Sequence, residues 1–347
     1  MRILILILMM QSLFVGENIS AQNSDFEEMV EYAIKAPSGH NTQPWKFFLA
    51  EKAIDIYPDF NCSLPVVDGT HRELYISLGC ATENLCVAAR KLGYQEEVSI
   101  LYNAEGVCYI HVILQRKAGL SSSLFDEITK RQTNRRAYTG REVTTDTIDS
   151  LKNISFDNGI HAYFYRKDED EFKELSAYIY RGNEAQMTDK GFKDELTGWI
   201  RLNKKQVEKT KDGLTYEAMG SPSVPTFIGR PIVRSFLKPK AQNKSDRKKV
   251  ESSSHLVLFT TQNNTPQEWI FLGRSLERFL LETTRLGIAN AYMNQPCEVP
   301  GLAKELRTTL FADKAYPTLL LRIGYAQPMP YSPRKETKAV IISHPGF

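Results

Sequence analysis

The sequence holds no Gly-x-Gly-x-x-Gly, no P-loop and no Gly-x-Ser-x-Gly elbow. Those absences argue against a doubly wound dinucleotide domain, a P-loop nucleotidase and an α/β-hydrolase. No Cys-x-x-Cys occurs, and the six histidines are scattered without His-x-x-x-His spacing, so no metal site is indicated. The five cysteines are odd in number; one pair could close in an oxidising compartment, but spacing names no partner. A net charge of +3, with no long Lys/Arg block on an aromatic-rich segment, gives no support to nucleic-acid or membrane-surface binding. No apolar run reaches the ~20 residues that a membrane-spanning helix needs.

What is present begins with the amino terminus. Arg2 precedes an apolar run, Ile3 to Leu8 and on to Val15, followed by small residues Ser20 and Ala21 and then polar Gln22-Asn23-Ser24-Asp25. That is the layout of a Sec-type signal peptide, with cleavage expected after Ala21 and a periplasmic or secreted address for the mature chain. No cysteine sits beside the cut and no Arg-Arg pair precedes the apolar run, so neither a lipid anchor nor export in a folded state is signalled.

Apolar periodicity predicts helices over 25–35, 73–92, 124–130, 145–151 and 268–286, with two more between 169 and 201. Strands are expected at 45–49, 53–57, 107–114, 160–165, 255–261 and 316–323. The polar linker Lys117 to Ser123 is the best internal boundary, dividing a half at 22–118 from one at 119–347. Residues 204–250, rich in Lys, Gly, Ser and Pro, read as a lid-like excursion with some helix near Ile232 to Leu237. An internal echo links the halves: Leu78-Gly79 to Leu92-Gly93 reappears as Leu272-Gly273 to Leu286-Gly287, offset by 194 residues, with Glu83 opposite Glu277. Two such halves would pack about a pseudo-two-fold, as a homodimer does.

Two stretches carry chemistry. Pro37-Ser38-Gly39-His40-Asn41-Thr42-Gln43-Pro44-Trp45 packs donors and acceptors into one short loop, where Gly39 allows close approach of a ligand and Pro44 biases Gln43 toward an extended conformation. Spacing alone also allows an ordinary helix-to-strand connection. Arg131-x-Thr133-x-Arg135 offers two guanidinium forks and a hydroxyl to an anion, though a solvated basic patch has the same pattern.

Together these stretches resemble the FMN-dependent nitroreductases. P-S-G-H-N-T-Q-P-W-K-F looks like their P-S-x-x-N-x-Q-P-W-x-F loop, and R-Q-T-N-R like their R-x-S-x-R phosphate segment. L-G-I-A-N-A-Y-M-N-Q-P, L-L-L-R-I-G-Y-A-Q-P and S-P-R-K resemble the helix, flavin-facing loop, last strand and basic tail. The order of parts is similar to that of the Acg-type subgroup, in which one chain carries both halves of what is elsewhere a homodimer.

The resemblance implies an α+β nitroreductase-like fold of two pseudo-repeated halves, each a mostly antiparallel sheet flanked by helices, in a chain that is a monomer acting as an internal pseudo-dimer. It implies one FMN: Arg131, Thr133, Arg135 and Arg334 on the phosphate, Ser38, Gly39, His40, Asn41 and Gln43 near the ring, and Asn294 near N5. Arg201 is a further candidate, for the pyrimidine edge. The implied activity is hydride or electron transfer from NAD(P)H or another small-molecule donor to a nitro, quinone or similar acceptor, the flavin carrying the chemistry and no side chain required as catalyst. A flavin-binding or flavin-sequestering protein with little turnover is the alternative. The second half offers only Gly220-Ser221-Pro222-Ser223-Val224-Pro225 where another loop could lie, without Asn, Gln or Trp, so one site per chain is expected.

Overall fold

The computed structural model describes residues 23–311 and 313–344. The expected signal peptide, 1–21, lies outside the described residues.

The chain opens on helix α1 (23–33), then β1 (Trp45–Leu49), β2 (Ala53–Pro58), α2 (Arg72–Lys91), β3 (Tyr94–Tyr102) and β4 (Cys108–Arg116). After a connection come α3 (Thr145–Lys152), β5 (His161–Arg166), α4 (Asp170–Thr188), α5 (Lys190–Trp199), β6 (Ile200–Arg201), α6 (Lys204–Thr210), β7 (Leu214–Thr215), α7 (Thr226–Phe236) and α8 (Pro239–Glu251). The chain closes with β8 (His255–Thr261), α9 (Pro266–Arg285), β9 (Ala289–Tyr292), α10 (Gln295–Glu298), α11 (Pro300–Phe311), β10 (Tyr316–Gly324), α12 (Thr337–Val340) and β11 (Ile341–Ile342).

Two sheets repeat one plan. The first runs β1-β2-β4-β3 and the second β5-β8-β10-β9, every neighbour antiparallel. The architecture is α+β, two mostly antiparallel sheets flanked by helices, as the resemblance implied. The first sheet gains an edge strand from the far end of the chain, where β11 pairs parallel to β1. A two-stranded parallel ladder, β6-β7, lies in the excursion.

Between the sheets α2 and α9 cross. Both have 20 residues, and they start and end 194 positions apart. Each stops the same way, with Gly93 (φ 79°) and Gly287 (φ 68°) in the left-handed region that ends a helix without Cβ strain. The Thr265 hydroxyl caps α9 by accepting from the Glu268 amide, with Pro266 at the first helical position. His71 provides no such cap for α2; the Asp68 carboxylate accepts from the Leu74 amide at 2.9 Å instead.

At the crossing, a Cβ on Gly79 would lie 2.1 Å from the Ile270 carbonyl oxygen, and one on Gly273 2.1 Å from that of Ile76. Ile76 and Ile270 are themselves 194 apart, so the contact reads the same from either helix, the signature of an isologous interface. Leu78, Leu85, Leu272 and Phe279 are fully buried around it. Truncating such a side chain costs about 2–5 kcal/mol.

The sheets differ in cover. On β4, Cys108, Ile110, Val112 and Leu114 face the core while alternate residues are half-exposed. On β8 all seven residues are buried: Val257 and Phe259 join the central core, and Leu256 and Leu258 pack under Phe172, Leu175 and Ile179 of α4. The chain between β5 and β8 provides that second cover.

Some expectations change. Residues 124–130 make only one 3-10 turn, Phe125–Glu127, held by Ile128 N to Phe125 O. The stretch 204–250 contains three helices rather than a little helix near 232–237. Strands β3 and β9 appear where none was expected. All five cysteines are free thiols, four of them buried.

Candidate functional site

The loop after α1 is strained. His40, Asn41 and Gln43 all take positive φ (48°, 57° and 55°), which non-glycine residues adopt at a cost of about 1–3 kcal/mol each and keep only when their surroundings hold them. Here they do. Asn41 N donates to Ser38 O and Gln43 N to the Ser38 hydroxyl, both at 3.0 Å. The Asn41 amide group donates to the carbonyls of Gly213 and Pro333, each at 3.2 Å. Gln43 Nε2 donates to Lys211 O at 2.9 Å, and its Oε1 accepts from the Lys335 amide at 2.8 Å. The loop is thus bolted to the excursion on one side and to the tail on the other.

The segment 131–135 is laid beside β9. Thr133 bridges to Asn290 in parallel, and Asn134 N donates to Asn290 O at 2.8 Å. The wholly buried Arg322 of β10 fixes the segment's end, donating to the carbonyls of Asn134 (3.1 Å) and Arg136 (2.7 Å), on either side of Arg135. The tail after β10 brings Arg334 back onto the loop. Its guanidinium donates to Asn41 Oδ1 at 2.9 Å and to the carbonyls of Lys35 and Ala36 at 3.0 and 3.1 Å.

These pieces meet at one cleft of about 300 Å³, at the lower end of the range for small-molecule sites. Ser38, Gly39, His40 and Asn41 line it, as do Arg131, Thr133, Arg135, Asn294 and Arg334. Gln43 does not; it is fully buried behind the loop and braces it. Arg201 is placed elsewhere: its guanidinium pairs with Asp212 at 2.7 Å and donates to Gly198 O, closing a local tie inside the excursion. The expectation that Arg201 reaches the site is corrected by this placement: it does not line the cleft, and its Nε, Nη1 and Nη2 are all engaged inside the excursion and at Gly198.

The electrostatics of the cleft are unbalanced. Arg131 Nε lies 3.3 Å from Glu277 Oε1, with both side chains buried, and Arg131 Nη2 donates to Lys35 O. Arg131 Nη1 has no hydrogen-bond partner, and among the described residues nothing accepts from the Arg135 guanidinium. Three guanidinium groups therefore gather at the cleft, and of the three only Arg131 pairs with a carboxyl among the described residues. Burial, then Arg131 and Arg135, pulls Arg334 down to about 9. Burial, only partly offset by Arg131, pushes Glu277 up to about 7. Buried like charges of this kind are costly without an anion among them.

The opposite wall is acidic and amide-rich. Glu73, from the first turn of α2, accepts from Asn294 Nδ2 at 2.5 Å, and Glu298 accepts from Gln186 Nε2 at 2.5 Å. Burial and the adjacent Glu73 hold Glu298 well above the carboxylate range, and the same two causes push Asp68 up to about 7. Burial, then Arg135, lowers His40 to about 4, so its ring is neutral at physiological pH. Sequence reasoning missed Glu73 and Glu298 as wall residues. Glu277 it noted only as a repeat partner, although a carboxylate among the apolar positions of a helix is a readable signal.

With that geometry in hand, comparison with known proteins is informative. No family profile matches the chain. The Mycobacterium tuberculosis protein "Putative NAD(P)H nitroreductase Rv3131" is 24% identical over 348 residues, covering 94% of this chain and 95% of that protein. The chain is a relative of the Acg-type nitroreductases. "Putative NAD(P)H nitroreductase acg" of the same organism is 23% identical over 318 residues, 88% of this chain and 92% of that one. Among solved structures, a putative nitroreductase from Anabaena variabilis covers 79% of this chain and 69% of its own at TM-score 0.44 and 10% identity. The FMN-dependent nitroreductase NfnB from Mycobacterium smegmatis, in complex with NADPH, covers 63% of this chain and 92% of its own at TM-score 0.37 and 15% identity. Both Mycobacterium tuberculosis relatives align with most of this chain.

Proposed function

We propose that this chain binds one FMN in the cleft and acts as an oxidoreductase, taking electrons from NAD(P)H or another small donor and passing them to a nitro, quinone or similar acceptor. One observation carries the reading: the guanidinium groups of Arg131, Arg135 and Arg334 gather at one cleft, of the three only Arg131 pairs with a carboxyl among the described residues, that of Glu277, and donors are left unused. A phosphate monoester supplies the missing negative charge and accepts from planar forks of this kind. Ser38, Gly39, His40 and Asn41 would line the ring, and a Cβ on Gly39 would press on Leu64 Cδ1 at 3.1 Å and Glu73 Oε2 at 3.4 Å, so a side chain there requires both neighbours to shift.

Bound FMN would supply the hydride and electron chemistry. The chain's residues do the rest. Neutral His40 offers hydrogen bonding without a competing cation. Burial beside Glu73 raises Glu298 well above its ordinary value and favours its protonated form at the acidic wall. The name of the Mycobacterium tuberculosis relatives supports a nicotinamide donor.

The cleft also supports the alternative of flavin sequestration with little turnover, since α4, α5 and the excursion wall it with Met187, Phe192, Leu196, Leu214 and Gln242. Spectra of the FMN-loaded protein separate the two. Bleaching by NADH or NADPH and reoxidation by a nitroaromatic supports the enzyme; flavin that stays oxidised under both donors supports sequestration. Protein that takes up no FMN contradicts both.

In the same reading the two halves replace a homodimer within a monomer, and the chain is exported by its amino-terminal segment. Sedimentation as a dimer with the cleft completed by a second chain would contradict the first. A chain retained in the cytoplasm with Met1 in place would contradict the second.

A further inference from the structure

Large exposed apolar side chains gather on α7. Phe227, Ile228, Ile232 and Phe236 are 79%, 44%, 45% and 66% exposed. At 3.6 residues per turn Phe227, Pro231, Ile228 and Ile232 fall within one arc of about 140°, and Phe236 widens it to about half of the circumference. The arc with Thr226, Gly229 and Val233 is turned inward: Gly229 is buried, and a Cβ on it would lie 2.7 Å from Val224 Cγ2 and 3.0 Å from Leu202 Cδ1. The apolar side is therefore turned out by the packing itself.

Charge is distributed as unevenly as hydrophobicity. Residues 218–245 hold Arg230, Arg234, Lys238, Lys240 and Lys244 and no Asp or Glu, and all five cations are exposed. The net charge of the whole chain conceals this patch. Arg230 and Arg234 border the exposed apolar side. Arg234 makes one ion pair, 3.5 Å from Asp194, with both side chains largely in solvent, and such a pair contributes little. The other side of α7 meets α5, whose Phe192 and Leu196 wall the cleft.

We propose that α7 is a membrane-surface element that lies in the interface of an anionic phospholipid bilayer. An 11-residue helix is too short to span one, and among the described residues no helix is long and apolar enough to do so. An amphipathic helix with aromatic and aliphatic side chains on one face and cations along its border lies in the headgroup plane. Charge decides against a second copy of the chain as the occupant, because an isologous contact on this face would bring the two basic borders together. Docking sets the α5 wall of the cleft beside the bilayer. The inference does not depend on flavin binding.

The test is co-sedimentation of the full chain with phosphatidylcholine vesicles and with vesicles containing phosphatidylglycerol as well. Binding is expected only to the anionic vesicles and is weakened by salt. The triple variant Phe227→Ser, Ile232→Ser, Phe236→Ser should lower that binding about tenfold or more while leaving the melting temperature unchanged, since these side chains are exposed. In the single variant Phe236→Trp, emission should shift to the blue on adding anionic vesicles. Equal binding by wild type and triple variant, or no spectral shift, overturns the proposal. A triple variant that melts earlier assigns the face to contacts within the chain, and vesicle-free self-association that the variant abolishes assigns it to a second copy; either result overturns it too.

Discussion

Glu83 and Glu277 occupy equivalent places on two equivalent helices, yet their surroundings differ. Glu83 is held by Arg274 at 3.1 Å and Arg278 at 3.0 Å, and both arginines also reach Asp157. Two cations meet two carboxylates and the arrangement is closed. At Glu277 only Arg131 makes an ion pair; Arg135 and Arg334, which share the cleft with Arg131, pair with no carboxyl among the described residues, and donors remain unused. The arginines at Glu83 come from α9 itself, whereas Arg131, Arg135 and Arg334 come from a crossing segment and a returning tail that also shape a cleft. The comparison teaches that the repeat built two equivalent positions and that only one of them carries the charge imbalance an anion relieves.

That contrast can be broken most decisively at the arginines. Arg135→Gln should weaken FMN binding about 100-fold, the equivalent of losing a charged hydrogen-bond pair worth about 2–3 kcal/mol, without destabilising the apoprotein. Its counterpart Arg278→Gln should leave FMN affinity unchanged and lower stability by about 1–3 kcal/mol, because Glu83 is left underpaired in the interior. Fluorescence titration and urea unfolding of both variants would read this; equal effects on binding would end the distinction.

The shared crossing is tested next. Gly273→Ala places a methyl 2.1 Å from the Ile76 carbonyl oxygen, so the helices must separate. A loss of about 1–3 kcal/mol in urea unfolding is expected, and Gly79→Ala should match it. A large difference between the two would show that the crossing is not symmetric in energy.

A smaller effect separates the carboxylates by pH. Glu277 is raised to about 7, so the folded apoprotein binds its proton more tightly than the unfolded chain does. The sign follows: this contribution is present at acid pH, and stability falls as pH rises from the ordinary Glu value towards 7. Asp68 and Glu298 slope the same way. Glu277→Gln should therefore flatten part of the fall, read as melting temperature against pH. A fall of unchanged steepness would contradict the account. The smallest effect belongs to His40, whose ring is already neutral above about pH 4. His40→Gln should leave the pH dependence of FMN affinity between pH 5.5 and 8 as it is in the wild type; an inflection in the wild type that the variant loses would refute the neutral assignment.

The sequence was most readable where local chemistry and final position coincide. The Leu-Gly echo marks the helix crossing because only glycine tolerates the approach and each helix needs a stop. The polar loop 38–43 and the Arg-x-Thr-x-Arg segment were found because their residue types are unusual for a connection. Strand β3 was hidden by its edge position: Tyr94–Tyr102 keeps Glu96 and Glu97 among its residues, with only Tyr94 buried. Helices α6 and α8 were hidden because they are polar and packing on neighbours orders them; Asp246, for example, accepts from Asn183 of α4 at 3.1 Å. Arg201 misled because an aspartate eleven residues away, Asp212, takes its guanidinium. Glu73 and Glu298 could not be seen as a pair, since 225 positions separate them and only the fold brings both to one wall.

The central claim is one anion-hungry cleft per chain. Calorimetric titration of the apoprotein with FMN measures it most directly. The account predicts a single site whose heat largely disappears in Arg135→Gln and persists in Arg278→Gln. Two sites per chain, or a heat lost equally in both variants, would contradict it.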